Sequence, residues 1–166
     1  MTYDVALLIE RQINALDADQ IVALHEELTD EHDIVYHLLL PIENSARTMM
    51  AAMTSLGGGQ LVPLGDPENI DELEREIHTA GQDELDASTS LIRERGQSCT
   101  SQLTEDDPVD ALTALVQSYD AAEVIILTQS HVVREFLHVD WSSRAKRKLN
   151  VPTLHLLEHM PFDAQR

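Results

Sequence analysis

The apolar positions of this chain alternate between short dense runs and longer stretches with helical spacing. Dense runs occur at Val5 to Ile9, Ile34 to Leu40, Cys99 to Leu103, Val124 to Leu127 and Thr153 to Leu157. Each has the length and composition of a β-strand. The second and fourth are nearly continuous in Val, Ile and Leu, the pattern of strands buried on both faces. The third alternates, with Cys99, Ser101 and Leu103 on one side and Thr100, Gln102 and Thr104 on the other. That suits a half-exposed edge strand, with Cys99 on the core side as an inert apolar residue.

Helical spacing fills the intervals. Asp17 and Asp19 are candidate N-caps for a helix carrying Ile21, Leu24 and Leu28 on one stripe. Asp66-Pro67-Glu68 reads as an N-cap, a first-turn proline and a first-turn acid. The helix it opens carries Ile70, Leu73, Ile77, Leu85, Leu91 and Ile92. Gly81 is a candidate break in it, and Gly96 a candidate stop. Asp107-Pro108 opens another helix, with Val109, Leu112, Leu115, Val116 and Tyr119 on one face. A last helix carries Val133, Leu137, Trp141, Ala145 and Leu149. Strands alternating with helices predict an α/β fold. Five such units in one chain make a three-layer sandwich around a parallel sheet. Residues Asn44 to Gly65 break the pattern, with Met49, Met50, Met53 and Leu56 followed by Gly57-Gly58-Gly59. They read as a flexible insertion in an otherwise single domain. Its methionines suit a lid, an interface or a patch packed on its own domain.

Composition narrows the function. The 166 residues are the length of one domain, and 43% are hydrophobic, which excludes a disordered acidic tail. The net charge is −19, a field that repels nucleic acid and anionic membrane surfaces, so neither is an expected partner. The single cysteine, Cys99, allows no internal disulfide. The opening Met1-Thr2-Tyr3-Asp4 lacks the basic stretch of an export signal, and the expected location is the cytoplasm.

The stretch from Asp107 to His159 resembles the C-terminal half of the universal stress protein family. A proline-capped helix is followed by Ala121-Ala122-Glu123-Val124-Ile125-Ile126-Leu127-Thr128, a long segment ending Ser142-Ser143-Arg144-Ala145, and Val151-Pro152-Thr153-Leu154-His155-Leu156-Leu157. The resemblance implies the Rossmann-like fold shared with adenine nucleotide alpha hydrolases, with strand order 3-2-1-4-5 and the third strand at an edge. It also implies pairing of two chains through the closing strand. A two-fold contact there would cover an uncharged apolar edge. The expected interface residues are Val151, Thr153, Leu154, His155, Leu156 and Leu157.

Nucleotide-binding members of that family carry Gly-x2-Gly-x9-Gly and a Ser or Thr after the fourth strand. Here the segment from Thr128 to Ser143 contains no glycine. Backbone amides approach phosphates closely only where no Cβ intervenes, so ATP binding through this loop is not expected. The candidate ligand residues are Glu10 after the first strand, with Thr128, Ser130, His131, Arg134, Ser142 and Ser143 after the fourth. They suit a weakly held nucleotide or another small anion at most. Otherwise no cofactor is expected. Eight histidines are present, but no spacing places three converging metal ligands. The basic cluster Arg144, Lys146, Arg147 and Lys148 complements the dipole at the last helix's C-terminus.

No catalytic motif is legible, so the expected protein is not an enzyme. The sequence has no P-loop, no Gly-x-Gly-x-x-Gly and no Gly-x-Ser-x-Gly. A phosphorylatable receiver domain alternates strands and helices too, but needs a lysine after its last strand, where this chain has Glu158-His159-Met160. The expectation is a universal-stress-protein-like regulator acting as a homodimer. The alternative is a small-ligand or nucleotide binder using the crevice at the C-terminal ends of strands one and four.

Overall fold

A computed structural model describes residues 1–42, 67–128 and 147–164. The sheet strands are β1 (Thr2–Ile9), β2 (Asp33–Pro41), β3 (Ser98–Thr104), β4 (Glu123–Thr128) and β5 (Thr153–Leu157). They lie in the order β3-β2-β1-β4-β5, and every neighbouring pair is parallel. This is the expected α/β architecture, with β3 and β5 at opposite edges. The most apolar runs, on β1, β2 and β4, hold the centre, where both faces are covered.

The pleat sends alternate residues into two cores. Val5, Leu7 and Ile9 of β1 pack with Ile21, Leu85 and Ile92 on one side. Ala6 and Leu8 pack with Val109, Leu112 and Leu115 on the other. Helices α1 (Ala15–Ala23) and α2 (Pro67–Arg93) carry the first core, and α3 (Pro108–Tyr119) carries the second.

Several local features differ from expectation. The N-cap of α1 is Asn14, not Asp17 or Asp19. Asn14 Oδ1 accepts from the Asp17 amide at 2.9 Å, and Asp17 Oδ2 accepts from the Asn14 amide at 3.0 Å, a capping box with Asp17 at its third position. Asp19 instead pairs with Arg95 at 2.6 Å. The helix ends at Ala23, and Leu24 is exposed, whereas Leu28, in the 3-10 turn Glu26–Leu28, still packs against the core that holds Ile21. Side chains explain the early end. The Ile21 carbonyl lies 3.2 Å from His25 Nδ1 and accepts the Tyr36 hydroxyl at 3.3 Å, groups that replace the next helical amide.

Gly81 does not break α2. A Cβ there would lie 2.8 Å from Ile42 Cγ2, so the glycine permits close approach of helix and sheet. Leu73 is exposed, outside the expected stripe. Gly96 stops the chain after α2 at φ +79°. Asp107 caps α3 as expected, its Oδ1 accepting from Val109 N at 3.0 Å and Asp110 N at 3.2 Å. The insertion from Asn44 to Gly65, Asp66, and most of the last helix lie outside the described residues. No described helix is long and apolar enough to cross a membrane.

Candidate functional site

Parallel α/β sheets place ligands beyond the C-terminal ends of the strands, where the strand order reverses. Here the reversal falls between β1 and β4. Glu10 follows β1 directly, and Thr128 ends β4. These two candidates are brought to the same crevice. Ser130, His131, Arg134, Ser142 and Ser143 lie outside the described residues.

Thr128 is already engaged. Its Oγ1 is 2.6 Å from His155 Nε2, and its carbonyl accepts from the Glu158 amide at 2.9 Å. Both contacts reach across to β5 and the turn after it. That turn supplies residues the sequence did not single out. Glu158 is 4% exposed, and its carboxylate forms an ion pair with Arg11, the residue after Glu10. Burial pushes the Glu158 carboxyl above the ordinary range, and Arg11 opposes the shift.

Asp17 anchors the same turn. Its Oδ1 accepts from the His159 amide at 2.6 Å, and His159 Nε2 lies 3.3 Å from Oδ2. Gln20 Nε2 donates to the Met160 carbonyl at 3.1 Å. These contacts join the ends of β1, α1 and β5, with Asp17 and Glu158 buried and, among the described residues, Arg11 ion-paired to Glu158. Arg11 and Glu158 are separated by most of the chain. No local pattern marks their pairing.

The expected interface residues divide by environment. Leu156 is buried and belongs to the chain's own core. Val151 is half-buried against the core on the α3 side. Leu154 and His155 are exposed on the β5 edge, with Leu154 at 40%. Leu154 also borders a cavity of about 220 Å³, whose walls include Leu24, His25, Leu28, Glu123 and Pro152. That cavity lies at the N-terminal ends of β4 and β5, across the sheet from the crevice.

Cys99 is buried, and burial pushes its thiol up to about 11, so it stays protonated at neutral pH.

No protein-family model and no curated protein matches the chain. Solved structures do. A universal stress protein from Archaeoglobus fulgidus superimposes with TM-score 0.55 at 12% identity, covering 93% of each chain. A universal stress protein family member from Burkholderia pseudomallei gives TM-score 0.54 at 15% identity, covering 92% of this chain and 94% of that one. A third, from Arabidopsis thaliana with AMP bound, gives TM-score 0.54 at 11% identity, covering 98% of this chain and 95% of that one. In strand order, strand direction and extent along the chain, this protein has the universal stress protein fold.

Proposed function

We propose that the protein is a cytoplasmic regulator of the universal stress protein type. It acts as a non-enzymatic homodimer and does not hold ATP through a glycine loop. The observation that carries this reading is the make-up of the crevice. Around the ends of β1, β4 and β5 lie three carboxylates, Glu10, Asp17 and Glu158, the last two buried and already engaged, where phosphates would have to be received. Among the described residues, the arginine there is engaged by Glu158. A triphosphate needs several amides or cations converging on it. The segment from Thr128 to Ser143 has no glycine to expose its backbone, and the chain's charge of −19 adds repulsion.

The β5 edge supports the dimer. Among the described residues β5 has one parallel partner, β4, with Leu154 and His155 exposed on it and no charged residue between Thr153 and Leu157. An open edge of this kind is normally covered or charged. A second reading, a nucleoside monophosphate binder, is favoured by the AMP in the Arabidopsis structure of the same fold.

A thermal-shift panel separates the two, because a ligand specific for the folded state raises Tm by mass action. The regulator reading predicts no shift with millimolar ATP, AMP or cyclic AMP. A saturable shift with AMP replaces it with the binder reading.

A further inference from the structure

On the sheet face beneath α3, three adjacent strands bring together Asp4 of β1, His37 of β2 and Thr100 of β3. His37 Nε2 lies 2.8 Å from Asp4 Oδ1, and His37 Nδ1 lies 2.7 Å from Thr100 Oγ1. The register places His37 beside Ala6 of β1 and Thr100 of β3. The carboxylate is an acceptor only, so in the neutral ring Nε2 carries the proton and donates to Asp4. Nδ1 is then the acceptor, and the Thr100 hydroxyl donates to it. A hydroxyl bonded to a base that a carboxylate orients is the arrangement of an activated nucleophile, recognised by geometry rather than by sequence position.

The surroundings suit the chemistry. His37 is 2% exposed, and the Tyr119 ring stacks on it at 3.7 Å with an interplanar angle of 16°. The imidazole is thus fixed and shielded from water. Thr100 is exposed, because β3 is an edge strand and this face of it is open. Its β-branched side chain has few χ1 states, which helps hold Oγ1 against Nδ1. Gln102, two residues along and also exposed, lies on the same face of β3 and offers an amide donor.

We propose that Thr100 is a covalent modification site that accepts an acyl group from an activated ester or thioester. The hydroxyl oxygen bonds to the acyl carbon as the bond from that carbon to the leaving oxygen or sulfur breaks. The hydroxyl proton passes to His37 Nδ1 and departs with the leaving group or to solvent. No oxidant or reductant is required. The chain's net charge of −19 favours an uncharged acyl carbon over a phosphate as the electrophile. The site is independent of the crevice, and one transfer per chain is consistent with a non-enzymatic regulator.

The test uses p-nitrophenyl acetate as the acyl donor at neutral pH, with peptide mapping by mass spectrometry. Wild type is expected to gain one acetyl group on Thr100. Thr100→Val, a change at an exposed position, should lose that adduct, and Thr100→Ser should keep it. His37→Gln should slow labelling about a hundredfold, within the range for losing a general base. If His37→Gln does not fold, Asp4→Asn serves instead and should slow labelling at least about tenfold. Acetyl groups confined to lysines would overturn the proposal. So would Thr100 labelling equally fast in wild type, Asp4→Asn and urea-unfolded chain. Continued nitrophenol release beyond one equivalent, with Thr100 labelled, supports the nucleophile and overturns the non-enzymatic reading instead.

Discussion

His25 Nε2 lies 2.6 Å from Glu123 Oε1, tying the end of α1 to the first residue of β4. His25 is 2% exposed, and its other nitrogen is 2.7 Å from the Tyr36 hydroxyl. Tyr3 donates to the second Glu123 oxygen at 3.1 Å. Four elements meet in this network: β1, α1, β2 and β4. The hydrogen bond from His25 holds the Glu123 carboxyl below its ordinary value of 4.5, against the opposing effect of burial. The folded chain therefore binds fewer protons here than the unfolded chain. The resulting stability is present above pH 4.5 and is lost as pH falls through the depressed value. Glu123→Gln should cost about 1–2 kcal/mol at neutral pH, because the amide oxygen that replaces the carboxylate accepts from buried His25 without the negative charge that strengthens the bond. It should also flatten the acid limb of a Tm-against-pH curve. An unchanged acid limb would mean that other carboxylates govern acid unfolding.

Arg11 and Glu158 behave with the opposite sign. The Glu158 carboxyl is held above its ordinary value by burial, so the folded state favours the protonated form. Arg11 offsets part of that penalty while remaining partly exposed. Arg11→Ala should destabilise the protein by about 1–2 kcal/mol at neutral pH, less than for a fully buried pair. The loss should shrink as pH falls and Glu158 takes up a proton. A loss that grows towards acid would contradict this account.

Gly81→Ala tests helix propensity against packing. Alanine in a helix interior gains about 1 kcal/mol over glycine. Its Cβ would meet Ile42 Cγ2 at 2.8 Å and Leu103 Cδ2 at 3.3 Å, and overpacking costs about 1–3 kcal/mol. The net expectation is destabilisation by about 1 kcal/mol in denaturant unfolding. Adding Ile42→Ala should bring a positive coupling between the two changes. Simple additivity would place the cost elsewhere.

The dimer is tested at Leu154. Light scattering at micromolar concentration should give twice the chain mass of 18.6 kDa. Leu154→Lys puts a charge on the exposed β5 edge, without touching the buried Leu156, and should yield a folded monomer. A wild-type monomer, or a dimer indifferent to Leu154→Lys, would move the interface away from β5.

The strands were legible because their residues leave little choice. Ile34 to Leu40 and Val124 to Leu127 have too few polar positions to be anything but buried, and the alternation from Cys99 to Thr104 marked an edge. The order of the strands came from the family resemblance, since periodicity places no strand beside another. Asp107 was readable as a cap because Pro108 follows it. Asn14 was not, because Asp17 and Asp19 offer the same chemistry a few residues on, and only the reciprocal bonds distinguish them. The crevice was legible in part. Glu10 and Thr128 follow from where β1 and β4 end. Arg11, Asp17 and Glu158 matter through contacts across the chain that no local spacing encodes. Asp4, His37 and Thr100 are the extreme case, unremarkable singly and joined only by parallel register.

The central claim is that the crevice does not receive a triphosphate. Calorimetric titration of ATP at physiological salt tests it most directly, since the Debye length there is about 8 Å and long-range repulsion alone cannot decide the outcome. Without converging amides, several phosphate hydrogen bonds of about 1.5–3 kcal/mol each are lost, which places the Kd at millimolar or weaker. The account predicts no saturable heat at micromolar ATP. A micromolar Kd that Arg11→Ala weakens at least about tenfold would contradict it, showing that Arg11 leaves Glu158 to hold phosphate.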